Sequence, residues 1–235
     1  GADGTVLDPS GIPVAVAPAK QTLPDVASDG TGFFVVWTET RNDYYQDHKV
    51  RGARVSAAGV VAPAVDLSPP PLGAYSDVPC IASNGAEYLV VWQGFLADGT
   101  DGTLGLRLSP DGSPIDAAPF LITTGGADHP GYCASNGTDF LVAWAAGTSP
   151  GNMAVFGSRV TAAGVVSDVS GIPIATSSGN KSAPMVGSDG TDYLVAWVDY
   201  STPVSHVTAS RVTAGGVVLD PSGISIPTAD GVWSL

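Results

Sequence analysis

The side chains with the most chemical reach lie in one short run, Arg41-Asn42-Asp43-Tyr44-Tyr45-Gln46-Asp47-His48-Lys49. Tyr44 and Tyr45 offer flat apolar area with a polar handle. Asn42, Asp43, Asp47 and His48 surround them with hydrogen-bonding groups, a mixture suited to a sugar or a peptide. Tyr75, Phe95, Tyr200 and His206 can add to the same surface. The competing reading is a solvated hairpin loop, since long loops are either functional or simply exposed. The chain's three histidines, His48, His129 and His206, stand far apart in sequence. A metal site would need them to converge with a carboxylate at ~2 Å ligand distances, and no local spacing demands it. Asp98 and Asp101 flank a glycine in a way that loosely suggests calcium. The run lacks the alternating carboxylates and terminal glutamate of a calcium loop, so turn chemistry is the expected role and no cofactor is expected.

Other catalytic signatures are missing. No Gly-x-Ser-x-Gly elbow, phosphate loop or His-Glu-x-x-His run occurs. Glu39 and Glu87 are the only glutamates among 22 acidic residues, and the net charge is −13. Asp favours turns because its side chain hydrogen-bonds nearby backbone, so much of the acidity belongs to turns. The acidic balance argues against a nucleic-acid partner and against adsorption to anionic lipid. No apolar run approaches the ~20 residues of a membrane-spanning helix. Only 13% of residues are charged while 44% are hydrophobic, which excludes disorder by composition. The 30 glycines and 19 prolines imply frequent turns and few helices.

What must position the candidate residues is a repeat. Phe33-Phe34-Val35-Val36-Trp37 returns as Tyr88–Trp92, Phe140–Trp144 and Tyr193–Trp197, at spacings of 55, 52 and 53 residues. A period near 50 marks repeat architectures. Each copy reads as four short strands. The first precedes an Asp-Gly or Asn-Gly turn (29–30, 84–85, 136–137, 189–190), a strong hairpin signal because both central residues accept positive φ. The second carries the tryptophan. The third ends in Arg54, Arg107, Arg159 or Arg211. The fourth follows a tight turn, near 60–67, 114–122, 165–175 and 217–226. Four antiparallel strands repeated four times predict an all-β chain, a β-propeller of four-stranded blades, with blades near 24–68, 77–122, 130–175 and 184–226. The four tryptophans are expected to pack between blades. The arginines are expected to stack on a ring or pair with a neighbouring-blade carboxylate; a cation ring for an anionic ligand is the alternative.

Residues 5–17 match residues 217–226, so the chain carries five fourth-strand segments but four sets of the other three. Either one copy closes a four-bladed ring, or five or more blades form by strand exchange or further residues, with Gly231–Leu235 a candidate inner strand. An unpaired edge strand invites association, so a homodimer is an expectation. The turns after strands one and three are short and nearly invariant. The connections after strands two and four are long, differ in every blade and share one face, where function concentrates on a rigid scaffold.

The pattern Pro-x-[Val/Ile]-Ala-Ser-[Asp/Asn]-Gly-x-x-[Tyr/Phe]-Leu-Val-[Val/Ala]-Trp, then x-Arg-Val-[Ser/Thr]-x-x-Gly-x-Val-Leu-Asp, resembles tandem propeller repeats of secreted and surface-anchored bacterial proteins. The resemblance covers essentially the whole chain. It implies a secreted or envelope location and no particular activity. In such a setting a disulfide between Cys80 and Cys133 is plausible: Cys80 aligns with Tyr132, one residue before Cys133, so the two face opposite ways on inner strands of adjacent blades. The expectation is a non-enzymatic binding module with a glycan or protein ligand on the variable-loop face. The alternatives are a structural segment of a larger surface protein and, third, a polysaccharide-acting enzyme, for which Asp25 alone among its equivalents Cys80, Tyr132 and Met185 supplies a carboxylate.

Overall fold

The computed structural model describes residues 5–40, 48–68, 76–124, 127–149 and 152–226. Among these residues, sixteen strands form four sheets of four. Blade 1 holds β1 (Lys20–Ser28), β2 (Gly32–Thr40), β3 (His48–Ser56) and β4 (Val65–Asp66). Blade 2 holds β5 (Ser76–Ser83), β6 (Tyr88–Phe95), β7 (Asp101–Leu108) and β8 (Phe120–Thr124). Blade 3 holds β9 (Ala127–Ser135), β10 (Phe140–Ser149), β11 (Asn152–Val160) and β12 (Ile172–Ala175). Blade 4 holds β13 (Lys181–Ser188), β14 (Tyr193–Asp199), β15 (His206–Val212) and β16 (Ile224–Ser225). Every pairing is antiparallel between chain neighbours, so each blade is a meander. The chain is an all-β propeller. It divides into two compact units, residues 1–125 with blades 1 and 2 and residues 126–235 with blades 3 and 4.

Strand alternation sorts each second strand onto two faces. In unit 1, Phe34 and Val36 of blade 1 form one core with Tyr88, Val90 and Trp92 of blade 2, all 1% exposed or less. In unit 2, Leu141 and Ala143 of blade 3 meet Tyr193, Val195 and Trp197 of blade 4. The tryptophans of blades 2 and 4 therefore pack between blades, as their recurrence suggests. We call the Trp-bearing side of a blade its front and the opposite side its back.

The recurring arginines take a partner other than the expected one. Arg107, Arg159 and Arg211 each pair with the aspartate nine residues later in their own blade, Asp116, Asp168 and Asp220, at 2.6–2.8 Å. The chain crosses from third to fourth strand there, and the aspartate also accepts the arginine's own backbone N–H (2.9–3.1 Å). Arg211 holds Asp220 down at a pKa of about 2. Blade 1 has Pro63 at that position, and Arg54 turns instead to Asp29 (2.9 Å). Burial would raise the pKa of Asp29, but hydrogen bonds from Thr31, Arg54 and Gly32 hold it well below the carboxylate range.

The first strands begin earlier than the repeat implies because they continue through a bulge. Register shifts at Thr22/Asp25, Asp77/Cys80 and Ser182/Met185 enclose Pro24, Pro79 and Pro184, which have no N–H to give the ladder. The residue before each proline, Leu23, Val78 or Ala183, is held at φ of 49–54°, a strained position for a side chain. Residues 5–17 form no strand, contrary to the expectation of an added outer strand. They make a turn, with Gly11 N donating to Asp8 O (2.9 Å), and Ile12 rests against Gly59 of blade 1. The expected Cys80–Cys133 disulfide is not formed, and both side chains are buried. Cys80 faces Val91 across its ladder and Cys133 faces Val142, so each serves its own sheet as a small apolar side chain.

Candidate functional site

In unit 1, the ends of three strands bring polar side chains together on the variable-loop side. Asp77, at the start of β5, accepts from Thr38 Oγ1 (2.8 Å) through Oδ1 and lies 3.2 Å from His48 Nδ1 through Oδ2. Its Oδ1 also takes the backbone N–H of Val78 (2.8 Å), which fixes the carboxylate at the mouth of the bulge. Thr38 follows Trp37 on β2, and His48 opens β3 opposite Thr40. One residue on, Lys49 Nζ donates to Asp66 Oδ2 (3.0 Å). Behind these, Glu39 is 7% exposed and stands 3.9 Å from Arg51 Nη1. A cleft of about 350 Å³ opens over Glu39, walled by Ala17, Pro18 and Ala19. A narrower one of about 130 Å³ follows it, with Trp37, Val35 and Pro24 on one side and Val14 and Ala15 on the other.

At this end of blade 1, Asp77 meets Thr38 and His48 on the back of the sheet, while Glu39, Lys49, Arg51 and Asp66 lie on its front. Each carboxylate has a cation or hydroxyl beside it. Such a set holds ligand hydroxyls in place. Glycoside hydrolysis instead needs a carboxyl kept protonated as an acid opposite a second carboxylate. Asp25 is taken up by backbone donors. Its Oδ2 accepts the Ile81 N–H of the next blade (2.9 Å) and its Oδ1 accepts Val26 N–H, so it links inner strands.

Of the sequence-selected residues, the structure places His48 in this cluster. Asn42, Asp43, Tyr44, Tyr45, Asp47 and Tyr75 lie outside the described residues, as does the 231–235 segment. Phe95 ends β6 opposite Asp101. In unit 2, Tyr200 is 51% exposed, and its backbone N–H donates to Asn180 O (2.8 Å). His206 Nδ1 lies 3.4 Å from Thr202 Oγ1, a contact within its own loop. Asp98 caps Thr100 N–H (2.9 Å), the turn role expected of it. Unit 2 also buries Lys181 completely, its Nζ donating to Ser177 O (2.6 Å) and Gly179 O (3.2 Å), which fastens the connection into blade 4. Sequence reasoning missed Thr38, Asp66 and Asp77. The usable signal was position: Thr38 directly follows the repeat tryptophan and Asp77 directly precedes the bulge.

No family model and no curated protein matches the chain. Solved structures do. A family 117 glycoside hydrolase of Zobellia galactanivorans is similar at TM-score 0.58 and 10% identity, over 89% of this chain and 71% of that one. An endo-arabinase of Bacteroides thetaiotaomicron matches at TM-score 0.54 and 14% identity, over 89% and 80%. A protein of unknown function from Dyadobacter fermentans matches at TM-score 0.54 and 15% identity, over 84% and 67%. The shared feature is the propeller fold.

Proposed function

We propose that this chain is an exported glycan-binding module that holds its ligand on the variable-loop end of blade 1 without cleaving it. The observation that carries this reading is the Asp77 cluster: Thr38 and His48 each lie within 3.2 Å of Asp77, so three strands contribute polar side chains at one place on the variable-loop side. Sugars are bound through hydroxyls that both donate and accept, so alternating carboxylates and cations are the matching surface. The loop that carries Tyr44 and Tyr45 runs directly into His48, and stacking of a tyrosine on a sugar ring would add the apolar part. Two of the similar structures are named as a glycoside hydrolase and an endo-arabinase, and their fold supports a glycan over a protein ligand. The exported location rests on the resemblance of the repeats.

A glycan array probed with the whole chain tests this, followed by His48→Ala, Asp77→Asn, Tyr44→Ala and Tyr45→Ala variants. Removing one hydrogen bond to a charged group costs about 1.5–3 kcal/mol, so Asp77→Asn should weaken binding by roughly tenfold or more. A blank array would favour a purely structural role. Signals that all four substitutions leave unchanged would move the site elsewhere.

A further inference from the structure

Inside unit 2, blade 4 buries two polar groups side by side that no described residue satisfies. Trp197 Nε1 on β14 and Thr208 Oγ1 on β15 have no hydrogen-bond partner among the described residues. The two residues are 3% and 6% exposed and pair directly across the ladder, so they are neighbours on the front of the blade. A Cβ on Gly223 would strike Thr208 Cγ2 and stand 3.6 Å from Trp197 Cζ2. The methyl of Thr208 and the N–H edge of the indole therefore meet at one corner. A buried polar group without a partner bears its full desolvation cost, so two of them in one place call for a shared partner.

Asp199 completes the set. It lies two residues beyond Trp197 on the same face of β14 and is 7% exposed. Its Oδ1 accepts Ser201 N–H (2.8 Å). Burial would raise its pKa, but Ser201, Lys181 and the Trp197 indole hold it below the ordinary carboxylate range. The indole N–H is thus near the carboxylate without bonding to it. The wall opposite is built small: Ala143 and Ala145 of blade 3, both fully buried, stand where Val36 and Thr38 face blade 2 in unit 1. A carboxylate acceptor, an N–H donor and a hydroxyl that does either are the complement of one hydroxyl group. An ordered water needs about two to four such partners. Trp92, the other tryptophan packed between two blades of one unit, supplies the contrast. Its Nε1 is also buried without a partner among the described residues, but Leu104 stands across the ladder and Gly94 two residues on.

We propose that the front of blade 4 holds a site for one hydroxyl group, which accepts from Trp197 Nε1, donates to Asp199 and shares a hydrogen bond with Thr208 Oγ1. Asp199 leads directly into Tyr200, which is 51% exposed at the variable-loop end, so the site adjoins that surface. In the free protein the hydroxyl is that of a water, and a polyol ligand that reaches in past Tyr200 offers the same chemistry. The site is independent of the Asp77 cluster, which belongs to unit 1.

Nuclear magnetic resonance of the whole chain reads the site through the Trp197 indole N–H, assigned as the signal lost in Trp197→Phe. In the free protein it should show a contact to a long-lived water, while the Trp92 indole, assigned through Trp92→Phe, should not. Adding xylo- or arabino-oligosaccharide separates the two sources. Loss of the water contact with a shift of the indole signal assigns the hydroxyl to the ligand; an unchanged contact assigns it to a structural water. Thr208→Val keeps the shape of the side chain and removes its hydroxyl. It should lower the melting temperature by roughly 2–4 °C, as for one lost hydrogen bond. Removal of an unused buried hydroxyl would instead leave the melting temperature unchanged or raise it. A Trp197 indole without the water contact, one no different from that of Trp92, or a Thr208→Val variant as stable as the parent overturns the site.

Discussion

Replacing Asp168 by asparagine should lower the melting temperature by about 4–8 °C at neutral pH and flatten its acid dependence. Asp168 accepts Arg159 Nε at 2.8 Å, Nη2 at 3.0 Å and the Arg159 backbone N–H at 3.1 Å. The two side chains are 20% and 26% exposed. Hydrogen bonds to charged groups are worth about 1.5–3 kcal/mol each, and exposure lowers that for an ion pair. Asparagine keeps the shape and part of the bonding, so the net loss is about 2 kcal/mol. At roughly 2–4 °C per kcal/mol for a chain of this size, the shift follows. The Arg159 bonds hold the Asp168 pKa below the ordinary carboxylate range, against the opposing effect of burial. A depressed carboxylate stabilises the fold fully above its unfolded pKa of ~3.9, and that stabilisation fades as pH falls through the folded value. The gap between parent and variant should therefore be constant from pH 7 to about 5 and close at lower pH. Calorimetric melts across that range decide it. Equal melting temperatures at pH 7, or a gap that persists unchanged into strong acid, would show that the arginine–aspartate pairs do not hold the strand crossings.

Three further outcomes follow from the same structure. Leu141→Ala, at a fully buried position facing blade 4, should cost about 2–5 kcal/mol, read as a lower urea midpoint. Ala183→Gly should raise stability by up to ~1 kcal/mol, because Ala183 is held at φ 49° where glycine is unstrained; a loss of stability there would mean the methyl group's packing outweighs the strain. Thiol titration of the denatured, unreduced protein should find two reactive thiols, since no disulfide joins Cys80 and Cys133, and adding reductant should leave the melting temperature unchanged.

The blades were legible because their signals are local and repeated. Asp-Gly and Asn-Gly turns, alternating apolar residues and the recurrent tryptophan each specify backbone or burial directly. The fourth strands were read too long. The segments near 60–67 and 217–226 contain only β4 (Val65–Asp66) and β16 (Ile224–Ser225) as named strands; in the second an aspartate-anchored crossing occupies the rest, and in the first Pro63 stands at the anchor position. The spacing of nine between Arg107, Arg159, Arg211 and their aspartates was in the sequence as a usable pattern. Pro63 in its place in blade 1 foretold that Arg54 must look elsewhere. The Asp77 cluster was not legible, since Thr38, His48 and Asp77 are scattered over nearly forty residues and meet only through strand pairing. Cys80 and Cys133 failed the other way: their opposite facing permits a bond but does not require one.

Native mass spectrometry of the whole chain with xylo- and arabino-oligosaccharides tests the central claim most directly. Binding without cleavage at the Asp77 cluster predicts a complex carrying the oligosaccharide at its intact mass, abolished by Asp77→Ala. Shortened products, or no complex at millimolar oligosaccharide, would contradict it.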